Sequence, residues 1–253
     1  MSASPFPLKG RTVLITGASS GLGRRFAQVL ASGGAKLAVA ARRADRLASL
    51  VNELKAAGSD AVAVSMDVED EKSIIAGFDA AEAALGPING IIANAGMNSR
   101  AMAADIDADE FDKVFAVNTR GVFLTAREGA RRSMKAKLDT RIVLVASIGA
   151  VKVLPGLATY CASKAAVLMM GRALSREWAN RGINVNILCP GYIRTELNSE
   201  WFDEEGGKKQ IATFPRRRLM EETDLDAIVA YLMSDASRAV TGSVFTIDDG
   251  QTL

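Results

Sequence analysis

Residues 12–23 read TVLITGASSGLG, and their reading decides the fold. Thr12 to Thr16 is a short β-branched and apolar run, the pattern of a strand buried on both faces. Glycines follow at 17, 21 and 23, with a helix expected to open at Arg24. Gly17 permits a sharp turn, Gly21 lets backbone come close to a diphosphate, and Gly23 allows a helix to pack tightly on a strand. Free N–H groups and the positive end of a helix dipole then point at one anion. Gly17, Ser19, Ser20, Gly21, Leu22 and Gly23 are the candidate residues of such a site. A tight strand-to-helix turn that binds nothing would use the same glycines; the position in the first strand–helix unit favours a ligand. No Gly-Lys-Ser/Thr follows, which argues against the loop of a kinase or ATPase.

Outward from this loop, similar runs recur at Lys36 to Ala40, Ala61 to Ser65, Ile88 to Ala93, Arg141 to Ala146, Asn184 to Leu188 and Ser243 to Ile247. The segments between them have helical spacing, such as Leu47, Leu50, Val51 and Leu54, and are long enough to cross a sheet. The expectation is an α/β chain: a seven-stranded, doubly wound parallel sheet flanked by helices on both sides. No linker, low-complexity stretch or repeat interrupts it, so residues 1–253 read as a single domain. The irregular stretch 192–218 is taken as an insertion above the sheet, a substrate lid.

Composition narrows the function. The 253 residues are 49% apolar and carry 31 basic against 29 acidic side chains, a formal charge of +2. A nucleic-acid binder needs a basic excess that this chain lacks. No apolar run approaches the roughly 18 residues of a membrane span, and Met1 to Leu8 does not read as a secretory leader, so a cytoplasmic protein is expected. There is no histidine, which excludes Ser-His-Asp and Cys-His catalysis and imidazole-held metals. Cys161 and Cys189 are too few for a disulfide framework and match no metal spacing, so no metal is expected. Proton transfer is left to Tyr, Lys, Asp, Glu or Cys.

The second strand ends at Ala41, followed by Arg42 and Arg43. A carboxylate at this place would hold a ribose 2′-hydroxyl, as in NAD sites. An arginine there can instead bind a 2′-phosphate, with Ser19 or Ser20 of the facing loop as a second donor, which favours NADP(H). The same arginines could simply open a solvated helix beside Asp45.

Tyr160 and Lys164 lie four apart within Leu157 to Asn180, a stretch of helical spacing, and so share one face. For a phenol with a reference pKa near 10 to work near neutrality, its anion must be favoured by about 3 to 4 kcal/mol. A nearby ammonium and an oxidised nicotinamide would supply that. Ser147 closes the fifth strand and can meet the Tyr160 hydroxyl over a carbonyl oxygen, because strand ends line the crevice of a doubly wound sheet.

With these residues the chain resembles the short-chain dehydrogenase/reductase family, in its branch of roughly 250 residues, over nearly its whole length. The matching elements are TGxxxGxG at Thr16 to Gly23, Asp67 with Val68, Asn94-Ala95-Gly96, Asn118, Ser147, the pair Tyr160 and Lys164, and Pro190-Gly191 followed by Thr195. The resemblance implies a Rossmann fold, an NADP(H) cofactor and a tyrosine-based interconversion of a ketone and a secondary alcohol. It implies that Asp67 and Val68 contact the adenine, and that Asn94, with Ala95 and Gly96, supports the sheet and the ribose side. Lys164 would hold the nicotinamide ribose, Tyr160 would exchange the proton, Ser147 would orient the substrate, and Asn118 would kink its helix to hold a relay water. Pro190, Gly191, Ile193 and Thr195 would approach the carboxamide and diphosphate. Blander uses remain for Asp67 as a turn residue, Asn94 as a structural amide, Asn118 as a helix irregularity and Thr195 as a helix cap. Two positions depart from the family pattern: Cys161 follows the tyrosine, and Ser20 stands where NADP-preferring members often carry a basic residue, so Arg42 carries more of the coenzyme argument.

Three classes of function follow: a carbonyl reductase or alcohol dehydrogenase, a catalytically silent dinucleotide-binding scaffold, and an epimerase or dehydratase. The intact set Asn118, Ser147, Tyr160 and Lys164 favours the first. Ile148, Val151, Val153, Leu154, Tyr192, Trp201 and Phe202, with Met97 and Asn98, are expected to line a pocket for a hydrophobic or cyclic ketone. A thioester of an acyl carrier protein is the alternative, met by Arg131, Arg132 and Arg216 to Arg218. A homotetramer, or at least a dimer, is expected, assembled through the Tyr160 helix and the last strand; of Leu168, Met169, Met170 and Leu174, some must face the core of their own subunit and the others need cover.

Overall fold

The structure, a computed structural model, describes residues 6–99, 102–195 and 199–253. Most of the stretch read for a leader, and residues 196–198 of the expected lid, lie outside the described residues.

Seven strands form one sheet: β1 (Thr12–Thr16), β2 (Lys36–Ala41), β3 (Ala61–Ser65), β4 (Gly90–Ala93), β5 (Thr140–Val145), β6 (Ile183–Pro190) and β7 (Val244–Ile247). Their order is β3-β2-β1-β4-β5-β6-β7, every pair parallel. The chain leaves β1 toward β2 and β3, then returns to the other side of β1 through β4. The crevice at this reversal, outside the carboxyl ends of β1 and β4, is where a doubly wound sheet receives a ligand.

The strands are apolar on both faces because both faces are covered. On one side Val13, Ile15, Val39, Val143 and Val145 pack on α1 (Gly21–Ser32), α2 (Ala44–Ala56) and, further along the chain, the helix Asp226–Met233. On the other, Leu14, Ala38, Ile91, Ile142 and Leu144 pack on α3 (Glu71–Leu85) and the helices described next. Neighbouring residues face opposite layers, as the two-residue period of a strand requires. At about 1.5–3 kcal/mol for each large apolar side chain fully buried, these two layers tolerate the buried polar groups that crowd the carboxyl rim.

The first helix begins at Gly21, not at Arg24. Two glycines of the loop, Gly21 and Gly23, therefore belong to its first turn, which brings the N–H groups of that turn nearer to the strand end. α4 (Ala108–Phe115) and α5 (Val122–Ala136) are joined by a π-helical turn, Ala116–Gly121, that contains Asn118. α6 (Ala158–Trp178) follows β5. Its Leu168 and Leu174 are buried in their own subunit's core, as expected for some of the four apolar residues of this helix, whereas Met169 is 61% exposed. The packing of α6 on β5 and β6 claims the two leucines, and helical periodicity leaves Met169 outside. After β6 come the short helices α7 (Ser199–Asp203) and α8 (Glu205–Thr213), and then α9 (Asp226–Met233). No helix among the described residues is long and apolar enough to cross a membrane.

Candidate active site

A continuous cavity of about 1310 Å³ runs along the carboxyl rim of the sheet. One end is lined by Gly17, Ser19, Ser20, Gly21, Leu22, Arg42, Arg43, Asp67 and Val68, its middle by Asn94, Ala95 and Gly96, and the other end by Ser147, Tyr160, Lys164, Pro190, Gly191, Ile193 and Thr195. All the expected cofactor residues meet in this one groove except Gly23, which packs beneath it.

The glycine half is built from close backbone approaches. Gly17 and Gly21 have φ of +68° and +51°, the left-handed region that side chains resist. A Cβ on Gly23 would collide with the Gly17 carbonyl and come within 2.7 Å of Asn94 Nδ2, whereas a Cβ on Gly21 would meet nothing closer than Thr195 at 3.7 Å. Gly23 thus serves helix packing, and Gly21 keeps the groove open. Asn94 ties β4 to the loop: its Nδ2 donates to Thr16 O at 3.0 Å, and its N–H donates to Thr16 Oγ1 at 3.1 Å. Asp67 Oδ1 accepts the Glu69 N–H at 3.0 Å, a turn at the end of β3.

The two arginines separate. Arg43 Nη2 donates to Ser19 Oγ at 2.9 Å and Ser20 Oγ at 2.7 Å, while Arg42 lies 3.7 Å from Glu69 with most of its side chain exposed. Arg43 rather than Arg42 therefore joins the serines of the facing loop. Sequence order alone had put the weight on Arg42; the bend at Arg42 turns Arg43 toward the loop instead.

At the other end, Ser147 Oγ accepts the Gly149 N–H at 3.0 Å, and Ser147 and the Tyr160 phenol line the same stretch of the groove. Burial pushes the Tyr160 phenol up to about 12; the Ser147 hydroxyl acts in the opposite direction, and Cys161, Tyr192 and Cys189 add to the rise. Lys164 Nζ donates to Val145 O at 3.0 Å and lies 5.8 Å from the centre of the Tyr160 ring. Burial lowers its amine to about 8. Lys164 is held by the strand carbonyl, and desolvation is the largest influence on both groups.

Asn118 is fully buried, and its amide is spent on structure. Oδ1 accepts the Met97 N–H at 2.8 Å, while Nδ2 donates to Met97 O at 2.9 Å and Ser163 Oγ at 3.0 Å. These bonds anchor the π-turn to the loop after β4 and to α6. A π-turn disturbs the regular ladder of main-chain bonds, so Asn118 stands at an irregularity between two α-helices.

Beyond Tyr160 the cavity is lined by Met97, Asn98, Ile148, Val153, Leu154, Tyr192 and Trp201. Val151 does not line it, and Phe202 is buried edge-on against the Tyr192 ring at 5.5 Å. Spacing could not separate the wall from its backing. Residues missed by sequence reasoning include Met102, Lys152, Gln210, Phe214, Pro215 and Gln251. Phe214 stacks on Tyr192 at 5.5 Å, and Trp201 Nε1 donates to Gln210 Oε1 at 2.8 Å. None carries a local signal: Lys152 sits in the loop between Ser147 and Tyr160 without a spacing that marks it, and the others join the pocket through segments distant from the Tyr160 helix. Among the described residues no cluster of three or more His, Cys, Asp or Glu side chains could hold a metal.

The sequence profile described as short chain dehydrogenase matches residues 11–206. An NADPH-dependent aldehyde reductase-like protein, chloroplastic, of Arabidopsis thaliana is 34% identical over 99% of this chain and 97% of its own. Versicolorin reductase of Emericella nidulans is 33% identical over 98% of each chain. The crystal structure of a gluconate 5-dehydrogenase from Burkholderia cenocepacia in complex with NADP and tartrate superimposes with a TM-score of 0.94 at 31% identity, covering 100% of this chain and 99% of that one.

Proposed function

The chain belongs to the short chain dehydrogenase family, and from that premise we propose that it is an NADP(H)-dependent oxidoreductase interconverting a ketone and a secondary alcohol. The observation that carries this reading is the meeting of Ser147, Tyr160 and Lys164 at one end of a groove whose other end holds Arg43 between Ser19 and Ser20. The donor set fits a phosphorylated dinucleotide. A guanidinium with two hydroxyls suits a 2′-phosphate, and the first turn of α1 with open space over Gly21 suits a diphosphate. Lys164 at the far end suits the ribose hydroxyls. The NADP named in the related gluconate dehydrogenase complex and the NADPH named for the aldehyde reductase-like relative support the same coenzyme.

A bound dihydronicotinamide would supply hydride to the carbonyl carbon. Ser147 and Tyr160 both direct hydroxyls at the position of the carbonyl oxygen, and Tyr160 gives its proton to the developing alkoxide. A phenol held neutral by burial is in the correct form for that donation. Lys164, with an amine brought near neutrality, can return a proton to the phenol after turnover. In the alcohol-oxidising direction the roles reverse. Tyr192 and Trp201, with Ile148, Val153 and Leu154, give the substrate apolar surroundings that suit a hydrophobic or cyclic ketone.

Three of the five arginines offered to an acidic carrier protein already have carboxylate partners, which favours the small-ketone reading: Arg132 is engaged by Asp79, Glu82 and Glu128, and both Arg216 and Arg218 by Asp249. The test is the loss of NADPH fluorescence with a panel of aliphatic and cyclic ketones beside an acyl thioester. Turnover of ketones is expected; NADPH binding without turnover of any carbonyl would turn the assignment toward a silent scaffold.

A further inference from the structure

The turn after β7 supplies none of the groups assigned above to proton transfer, yet it contacts three walls of the substrate half. Gln251 is only 2% exposed. Its Oε1 accepts the Tyr192 N–H at 2.6 Å, its Nε2 donates to Tyr192 O at 3.5 Å, and its main-chain carbonyl accepts Lys152 Nζ at 2.5 Å. Lys152 lies in the loop between Ser147 and Tyr160, and Tyr192 follows β6, so one residue bridges two segments that flank the reacting groups.

The turn is itself held rigidly. The Asp248 carboxylate accepts the N–H groups of Gly250 at 3.1 Å and Thr252 at 2.8 Å, and the Thr252 hydroxyl at 2.6 Å. Asp249, with φ of +54°, pairs with Arg216 at 3.0 Å and Arg218 at 2.9 Å from the third wall. Gly191 makes room for this approach: a Cβ there would lie 2.7 Å from both Gln251 Oε1 and Asp248 Cα. The Tyr192 ring, stacked on Phe214, lies close enough to Tyr160 to act on its ionisation.

We infer that Gln251 is a positioning residue that sets the width of the substrate pocket, and with it the choice between narrow and bulky ketones, by fixing Tyr192 and the Lys152 loop relative to each other. The inference rests on the reading of this half of the groove as a ketone site. Small displacements of groups that orient a substrate cost large factors in rate and affinity, whereas Ser19, Ser20 and Arg43, at the far end of the groove, bond to each other and not to this turn.

The test is Gln251→Met, which keeps the volume and removes the acceptor, compared on cyclohexanone and 1-decalone. The KM for cyclohexanone is expected to rise about ten-fold with kcat changed less than about three-fold, and the preference between the two ketones to change about ten-fold. The NADPH dissociation constant should stay within about two-fold, because the lost bonds are remote from the phosphate end. Gln251→Glu keeps an oxygen acceptor for the Tyr192 N–H and should restore much of the preference. Lys152→Met, at an exposed side chain, should move the preference in the same direction by a smaller factor, and decides the matter if Gln251→Met does not fold. Dissociation constants of the two ketones from the NADPH complex, read by protein fluorescence, give the same ratio without turnover. A wild type that binds both ketones but reduces neither would defeat the proposed reaction, while a shifted binding ratio in the variants would still uphold the inference. An unchanged ratio in the folded variants overturns it.

Discussion

The two ends of the groove are made in different ways. The phosphate end is built largely from main chain: Gly17, Gly21 and Gly23 clear space, N–H groups of a loop and a helix turn face the groove, and the side chains of Arg43, Ser19 and Ser20 close its rim. The substrate end is built from side chains that converge from the β5–α6 loop, the segment after β6, α7, α8 and the turn after β7. The first kind of site is damaged by adding an atom and the second by removing one. A backbone site tolerates no Cβ where chains touch, and a side-chain site depends on single oxygens and nitrogens at defined places.

The sharpest way to break this contrast is to delete one oxygen at the substrate end. Tyr160→Phe is expected to lower ketone reduction by about 100- to 10,000-fold, the range for loss of a positioned general acid, with NADPH binding retained because the ring still packs. Steady-state rates with a coenzyme titration check this. Retention of a tenth of wild-type turnover would leave the phenol without its proposed role.

Lys164 tests whether the substrate end is held at the expense of stability. It is 4% exposed, and burial lowers its amine from 10.5 to about 8. The folded value lies below the unfolded one, so the penalty is fully present below pH 8 and is relieved as the pH climbs toward 10.5. Replacing the lysine by methionine removes about 3 kcal/mol of this penalty at pH 7, at about 1.36 kcal/mol per pH unit. It also leaves the Val145 carbonyl unpaired, a loss of about 1 kcal/mol. Lys164→Met is therefore expected to unfold about 2 kcal/mol later in denaturant at pH 7, to lose that advantage by pH 10, and to be inactive. A variant no more stable than wild type at pH 7 would show that the ammonium is better solvated than its burial implies.

At the phosphate end, Gly23→Ala adds a methyl group against the Gly17 carbonyl. Backbone cannot rotate away as a side chain can, so a loss of about 1–3 kcal/mol is expected, the usual result of overpacking. NADPH binding should fall with it, as seen by melting with and without coenzyme. The smallest effect concerns the arginines: Arg43→Ala should reduce the NADPH-over-NADH preference by about ten-fold, the equivalent of one charge-assisted hydrogen bond, and Arg42→Ala by less. Ratios of kcat/KM for the two coenzymes decide, and a larger effect at Arg42 would return the weight to the residue that sequence order favoured.

The same contrast explains what was legible in advance. Gly17, Gly21, Gly23, Ser147, Tyr160 and Lys164 stand at short fixed intervals within single strand–turn–helix units, so spacing along the chain is already spacing in the groove. Gln251 and Lys152 are 99 residues apart and meet through a main-chain carbonyl, a group every residue possesses and no sequence pattern marks. Phe202 and Trp201 are neighbours, but one backs the wall and the other faces the cavity.

The sequence by itself determined the seven strands, their parallel pairing and the place of the glycine loop, because apolar periodicity and glycine conformation are local properties that hold wherever the segment is placed. Tertiary structure alone decided that Arg43 and not Arg42 joins the serines, that Leu168 and Leu174 face inward, and that burial sets the ionisation of Tyr160 and Lys164. Those outcomes depend on which surfaces come together after the sheet closes, and desolvation is a property of the enclosure rather than of the residue enclosed.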